Sequence, residues 1–274
     1  MSTLLKYLVL FLLAACSLNA PADDGVPVMF DAHIHYDQDI WNALPPARAI
    51  HLLTQQNVQR ALVSATPTEG AEKLYRENPD IVVPMLRPYK SWRHRYLWYK
   101  DPELKSYLLQ HLQRVPYRGF GEFHVFGENM NTRQIEDMIA LARERQLVLH
   151  PHTDLAGIEI LLQKTKGIAV IWAHGGFDVS LEILKQLLDE YPDLSIDLSL
   201  RDGLPNEDGV LTDQWRTLLV NYRSRFLLGA DTYKPSRWAE LPEIIEQTRA
   251  WLSQLPEEVA ADLERNNFER LFPR

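Results

Sequence analysis

Histidines and acids at the ends of apolar segments are the residues of this 274-residue sequence with the clearest chemical potential. The first such segment, Phe30-Asp31-Ala32-His33-Ile34-His35, ends in two histidines separated by one residue. Because side chains alternate along a β-strand, His33 and His35 would project to the same side, where both imidazoles can bind one metal ion. This spacing predicts a metal site and directs attention to further ligands.

Candidate partners for this pair end later apolar runs in the same way. They are Glu122 and His124, His150 and His152, His174, and finally Asp231. One histidine at such a place is more often structural, but their joint occurrence with an aspartate favours a shared metal site. Cys16 is the only cysteine, so the ligands must be His, Asp or Glu.

Eight β-rich runs alternate with helix-period segments and would position these side chains. The predicted strands cover residues 28–32, 60–65, 81–86, 119–123, 147–150, 168–173, 194–199 and 226–230. The predicted helices cover 47–56, 69–77, 102–113, 132–145, 156–165, 181–191, 213–222, 242–255 and 257–271. The alternation predicts an α/β fold, a (β/α)8 TIM barrel forming one domain over residues 28–274. In such a barrel the carboxyl ends of all eight strands lie at one face, and the catalytic residues lie there.

Composition narrows the classes of partner. The hydrophobic share of 46% is enough to bury a full core. The formal net charge of −8 argues against nucleic acid as a partner, because a phosphate-binding surface needs an excess of cations. A small-molecule substrate is therefore expected, and no pattern indicates an oligomeric state.

The N-terminal residues carry a targeting pattern. Residues 1–15 have the apolar run of a signal peptide, and their end, Leu13-Ala14-Ala15-Cys16, resembles the bacterial lipobox, in which the cysteine is lipidated. This predicts a signal peptide over 1–15, a tether over 16–27 anchored in a membrane by lipid on Cys16, and export. Ser17 favours the periplasmic side of the outer membrane; an ordinary secretory signal with a chance cysteine is the alternative.

The ordered set of residues on strands 1, 4, 5, 6 and 8 resembles the amidohydrolase superfamily, particularly its family 2 branch. The resemblance spans Phe30 to Phe272 and includes the closing segment 255–272, which is similar to that branch's C-terminal helix. It implies that His33 and His35 bind the more buried metal with Asp231. The histidines of strands 5 and 6 would serve the same metal or a second one.

Two ligand assignments stay open under this resemblance. On strand 5, His152 is favoured as the ligand, with His150 as a pocket residue or a support for the ligands, since the two share a face. On strand 4, Glu122 resembles the bridging glutamate of TatD-type proteins, which implies two ions. If Glu122 only accepts a hydrogen bond from a ligand histidine, one ion suffices. Asp154 is predicted to cap the fifth helix rather than bind metal.

This ligand set suits Zn²⁺ best, with Mn²⁺, Fe²⁺ or Ni²⁺ as alternatives. Zinc can bring the pKa of a bound water near 7, and Asp231 would then accept its proton and pass it to the leaving group. His174 would bind the second metal or polarise the scissile carbonyl.

The substrate pocket is expected to include His124, His150 and the long segment 87–100. One interpretation makes this segment a lid, with Arg87 as a clamp for a substrate carboxylate. The other makes it a surface loop whose aromatic residues pack on the barrel rim.

The expected activity is metal-dependent hydrolysis of an amide, ester or lactone in a small molecule. Decarboxylation of an aromatic or enoic acid, or metal or solute binding without turnover, are the alternatives.

Overall fold

The computed structural model describes residues 27–274, in which strands and helices alternate as predicted. The strands are β1 Met29–His35, β2 Val58–Ser64, β3 Val82–Leu86, β4 Gly119–His124, β5 Val148–His152, β6 Val170–Trp172, β7 Leu194–Asp197 and β8 Phe226–Leu227. The helices are α1 Pro46–Gln55, α2 Glu69–Glu77, α3 Leu104–His111, α4 Arg133–Arg145, α5 Leu155–Lys164, α6 Leu181–Glu190, α7 Asp213–Asn221, α8 Pro235–Ala239, α9 Leu241–Leu252, α10 Glu257–Ala261 and α11 Asn267–Leu271.

The eight strands pair in parallel and in chain order. The segment that follows β8 meets β1 through two backbone hydrogen bonds, from the Ala32 N–H to the Leu228 carbonyl and from the Asp231 N–H to the His33 carbonyl, each 2.7 Å long. The arrangement confirms the predicted (β/α)8 TIM barrel.

Two apolar clusters hold the barrel together. The larger one packs the helices against the outside of the strands. The smaller one collects buried side chains from six strands together with Phe268 and Phe272. The Phe268 ring lies 5.4 Å from the ring of Phe30 on β1, so the C-terminal helix plugs the amino-terminal end of the barrel.

One extra residue in β1 changes the direction of its side chains. The partners on β2 shift between the pairs Asp31–Ala61 and Ile34–Val63, which is a β-bulge. Phe30 belongs to the interior cluster, so a regular strand would turn His33 away from the interior. Because a bulge re-aims the residues that follow it, His33 and His35 both reach the interior above the apolar plug.

The ends of some elements differ from the predictions. The predicted eighth strand, 226–230, forms ladder pairs only over Phe226–Leu227. The predicted helix 257–271 is divided by a π-helical segment, Asp262–Asn266. Asp154 caps α5 as predicted, since its side chain accepts a hydrogen bond from the Gly157 N–H.

The predicted signal peptide, the lipidation site Cys16 and the tether up to residue 26 lie outside the described residues. Within residues 27–274, no helix combines the length and apolarity needed to cross a membrane.

Candidate metal centre

His33, His35 and Asp231 meet at the carboxyl end of the barrel strands, and all three are buried. His33 Nε2 lies 2.9 Å from His35 Nε2. Asp231 Oδ1 lies 3.5 Å from His33 Nε2 and 3.2 Å from His35 Nε2. Two atoms that bind one zinc ion at about 2.1 Å and tetrahedral angles lie about 3.4 Å apart. The three separations therefore suit one shared divalent ion.

In two of the histidines, His33 and His174, a hydrogen bond donated by Nδ1 orients the ring. His33 donates from Nδ1 to Asp197 Oδ2 over 2.5 Å, and His174 donates from Nδ1 to the Ser199 carbonyl over 2.7 Å. Both bonds keep a hydrogen on Nδ1, so that Nε2, which faces the centre, carries the lone pair when the imidazole is neutral. Asp231 Oδ1 is buried and has no hydrogen-bond partner among the described residues. Lone pairs and an unpartnered carboxylate oxygen are the donor set that a divalent cation requires.

Backbone conformation helps to aim these side chains. His174 has φ 58° and Asp231 has φ 49°, in the left-handed region that non-glycine residues rarely adopt. Such conformations persist where the surrounding structure enforces them, commonly at functional sites. Gly229 allows the chain after β8 to approach β1, because a Cβ there would lie 2.6 Å from the His33 Cβ.

Glu122 lies at the middle of the ligand cluster. Its Oε1 accepts a hydrogen bond from His152 Nδ1 over 2.6 Å and lies 3.5 Å from His174 Nε2. Its Oε2 lies 3.3 Å from His35 Nε2. The structure therefore brings Glu122 together with histidines from β1, from β5 and from the turn after β6.

The buried charges set the ionisation of the centre. Burial lowers the pKa of His33, but the carboxylates of Asp231, Asp197 and Glu122 outweigh it and raise that pKa well above its usual value. Burial raises the pKa of Asp231, but His33 and His35 bring it down to about 2. Burial also opposes ionisation of Glu122, yet the neighbouring histidines hold its pKa well below the usual value. Both carboxylates are therefore ionised at neutral pH.

A cavity of about 290 Å³ opens beside the centre. The outer part of its wall is formed by Trp92, Arg95, Phe177, Leu200 and Tyr233. This volume suits a small molecule.

The segment 87–100 both packs on the rim and lines the cavity. Trp98 is fully buried, and its Nε1–H donates to the His124 carbonyl over 2.8 Å. Arg95 lies over the Trp92 ring at 4.6 Å and faces the cavity. The buried Arg95 Nε has no hydrogen-bond partner within residues 27–274. Features of both sequence-based interpretations, a lid and a packed loop, are therefore present.

No family model and no curated protein matches the chain, but solved structures do. A protein from Pseudomonas putida named as a 2-pyrone-4,6-dicarboxylic acid hydrolase has a TM-score of 0.62 and 15% identity over 89% of this chain and 97% of its own. A TatD homologue from Escherichia coli has a TM-score of 0.61 and 16% identity over 90% and 98%. A protein from Acinetobacter baumannii, also named as a 2-pyrone-4,6-dicarboxylic acid hydrolase and crystallised with citric acid, has a TM-score of 0.57 and 12% identity over 90% and 100%. The shared feature is the fold.

Arg87 has partners within the protein. Its side chain is fully buried, and its donors face the Glu122 carbonyl at 3.0 Å, Thr66 Oγ1 at 2.8 Å and Asp37 Oδ1 at 3.4 Å. Arg87 also lines the cavity, and its predicted contact with a substrate carboxylate stays a prediction.

The two strand-5 histidines lie at different depths. His152 is partly exposed on the cavity wall and contacts Glu122, and its role as the strand-5 ligand stays a prediction. His150 is buried, with Nε2 3.5 Å from Asp197 Oδ2, and is not among the residues that line the cavity, so its predicted place in the substrate pocket stays a prediction. His124 stacks on His152 with ring centroids 4.2 Å apart, and it also lines the cavity.

Asp197 is the residue whose role the sequence did not reveal. From the sequence alone, Asp197 is interpreted as a hydrogen-bonded polar residue of the core. In the structure it contacts both His33 and His150. Its position as the last residue of β7, equivalent to the ends that carry the predicted ligands, is the signal that could have identified it.

Proposed function

We propose that the chain is a metal-dependent hydrolase of the amidohydrolase superfamily, acting on an ester, lactone or amide bond of a small acidic molecule. The observation that carries this proposal is the approach of His33, His35 and Asp231 to within 2.9–3.5 Å of one another at the carboxyl end of a parallel barrel. The likeness to barrels named as hydrolases supports it. Assignment to the family 2 branch depends on the sequence resemblance.

His33, His35 and Asp231 would hold the ion, for which zinc is the first candidate from the chemistry of the donors, and His174 lies beside them in a group with His33 and Glu122. When bound, such an ion supplies a Lewis acid and makes water nucleophilic at neutral pH. Asp197 and the Ser199 carbonyl keep the Nε2 atoms of His33 and His174 available.

Asp231 is the candidate general base. Its pKa of about 2 keeps it ionised at neutral pH. It can accept a proton from the attacking water and return it to the leaving group. His174, on the cavity wall, is placed to bind the ion or to polarise the scissile carbonyl.

The cavity walls support an acidic substrate. Arg95 supplies a cation with an unpartnered Nε, while Trp92 and Phe177 supply flat apolar surfaces. A guanidinium pairs well with a carboxylate, and aromatic rings stack on a flat unsaturated group. Two of the similar structures are named for a dicarboxylic acid of a pyrone, which is a cyclic ester.

Assays of metal-loaded protein test this function. The panel should contain 2-pyrone-4,6-dicarboxylic acid, neutral lactones, amides and hydroxybenzoates. We expect hydrolysis of an acidic lactone or ester that is lost after chelation. Release of CO2 from a hydroxybenzoate without any hydrolysis would instead identify a decarboxylase, and full metal occupancy without turnover would favour a binding protein.

We also propose that the protein is exported and anchored to a membrane through lipid on Cys16. This depends on the sequence of residues 1–17, which lie outside the described structure. Expression in a bacterium with radiolabelled palmitate should label the wild type and move it to the membrane fraction. Cys16→Ser should remove the label; a labelled variant would contradict the proposal.

A further inference from the structure

A buried cation lies inside the candidate metal centre. One terminal nitrogen of Arg87, Nη2, is 3.1 Å from Glu122 Oε2 and 2.8 Å from His35 Nδ1. The side chain is 0% exposed, so water does not screen its charge. An arginine is always protonated in proteins, so this charge is permanent.

The guanidinium is fixed from its other side. Nη1 donates to Thr66 Oγ1 over 2.8 Å and lies 3.4 Å from Asp37 Oδ1, while Nε donates to the Glu122 carbonyl over 3.0 Å. With its donors directed to protein acceptors, Arg87 cannot turn away from Glu122 without losing several buried hydrogen bonds.

Glu122 is therefore poorly placed to bridge two ions. A bridging carboxylate offers one oxygen to each ion. Here Oε2 faces Arg87, and Oε1 accepts the hydrogen bond from His152 Nδ1 at 2.6 Å. Both oxygens already have a partner with hydrogen to donate.

The described residues contain four groups that could hold a metal ion, and charge separates two of them. The group of His33, His35 and Asp231 contains a carboxylate and has a second, Asp197, directly behind His33. The other group, Glu122, His124 and His152, has one carboxylate, and that carboxylate is paired with Arg87. Arg95 lines the same cavity as His124 and His152 and adds a second positive charge near this group. The first group attracts a divalent ion, and the second is already neutralised.

We propose that Arg87 takes the place of a second metal ion, so that the centre binds one divalent cation, at His33, His35 and Asp231. This rests on the proposed metal-dependent function. A unit charge about 4 Å from another changes affinity by on the order of a thousandfold at an effective dielectric constant of 20, so Arg87 can decide the stoichiometry.

Metal stoichiometry tests the inference without an assay of activity. Native mass spectrometry of protein titrated with Mn²⁺ should show one ion per wild-type chain, even in excess metal. Arg87→Met removes the charge at similar length, and the variant should bind a second ion. Arg87→Lys retains the charge and should stay at one. Arg93→Met removes an exposed cation of the same segment and should also stay at one.

The outcomes separate this inference from the proposed function. Two ions in the wild type, or one ion in folded Arg87→Met protein, would overturn the role of Arg87 and leave metal dependence intact. A folded wild type that binds no ion would overturn the proposed function itself. If Arg87→Met does not fold, the electron paramagnetic resonance spectrum of the Mn²⁺-loaded wild type decides. Uncoupled single ions support the inference, and an exchange-coupled pair overturns it.

Discussion

Asp197 Oδ2 accepts a hydrogen bond of 2.5 Å from His33 Nδ1, although 164 positions separate the two residues in the chain. The carboxylate is itself held by the N–H and the hydroxyl of Ser199, each at 2.8 Å. Burial raises the pKa of Asp197, but His33 and His150 lower it far below its usual value. A fixed, ionised carboxylate therefore orients His33 and would make its Nε2 a stronger ligand for the proposed ion.

Asp197→Asn should weaken metal binding by about 10-fold to 100-fold, because the amide retains the shape but loses the charge that fixes the His33 tautomer. Calorimetric titration with Zn²⁺ measures this, and circular dichroism checks the fold. Asp202→Asn, an exposed change after the same strand, is the matched control and should bind like the wild type. Equal affinities in both variants would exclude an orienting role for Asp197.

Asp231→Asn should reduce kcat by about 10²-fold to 10⁴-fold while most of the metal is retained. The amide oxygen can still bind an ion, but the amide cannot accept the proton of the attacking water. Steady-state kinetics and metal analysis of the same preparation give both values. Asp208→Asn, at an exposed position, should change neither. A kcat within a few-fold of the wild type would remove Asp231 from the role of general base.

Arg95→Ala should raise KM for an acidic substrate by about 10-fold or more and leave KM for a neutral analogue nearly unchanged. The reason is that Arg95 faces the cavity with an unpartnered Nε, whereas the donors of Arg87 are already used. Arg93→Ala, on the exposed side of the same segment, is the control. Equal increases in KM for both substrates would contradict recognition of the charge.

Metal affinity should rise with pH until the pH passes the raised pKa of His33, with release of a proton on binding below that pKa. The raised pKa of His33 means that its proton competes with the ion at neutral pH, and this competition ends as the pH passes that pKa. Titration calorimetry in buffers of different ionisation enthalpy measures the released protons. Binding that is independent of pH, with no proton released, would contradict this ionisation scheme.

Trp98→Phe should lower the free energy of unfolding by about 1–3 kcal/mol, because the buried His124 carbonyl loses its hydrogen-bond donor. Trp92→Phe, at a side chain that is 37% exposed, should cost much less. Urea denaturation compares the two variants. If both were equally stable, the anchoring of segment 87–100 through Trp98 would be wrong.

The fold followed from local signals that agree with one another. Periodicity located all eight strands, and the apolar run before His33 located the start of β1 within a residue. The end of strand 8 was less accurate, because residues 228–230 remain apolar although only Phe226 and Leu227 form ladder pairs. A hydrophobic pattern reports burial and does not report hydrogen bonding.

The site followed from the sequence only where a residue type and a strand end coincide. His33, His35 and Asp231 meet as expected, but the bulge that turns both histidines inward has no signal in their alternation. The roles of Asp197 and Arg87 depend on contacts across the barrel, with partners on other strands. Contacts of that kind are fixed by the closed barrel and cannot be read from spacing along the chain.

The most direct test of the account is the metal content of the folded protein. Protein loaded with Zn²⁺, Mn²⁺, Fe²⁺ or Ni²⁺ and then freed of excess metal should retain a stoichiometric amount of at least one of them. The His33→Ala/His35→Ala variant, folded by circular dichroism, should lose it. A folded wild type that retains none of the four metals, or a double variant that retains as much as the wild type, would contradict a metal centre at these residues.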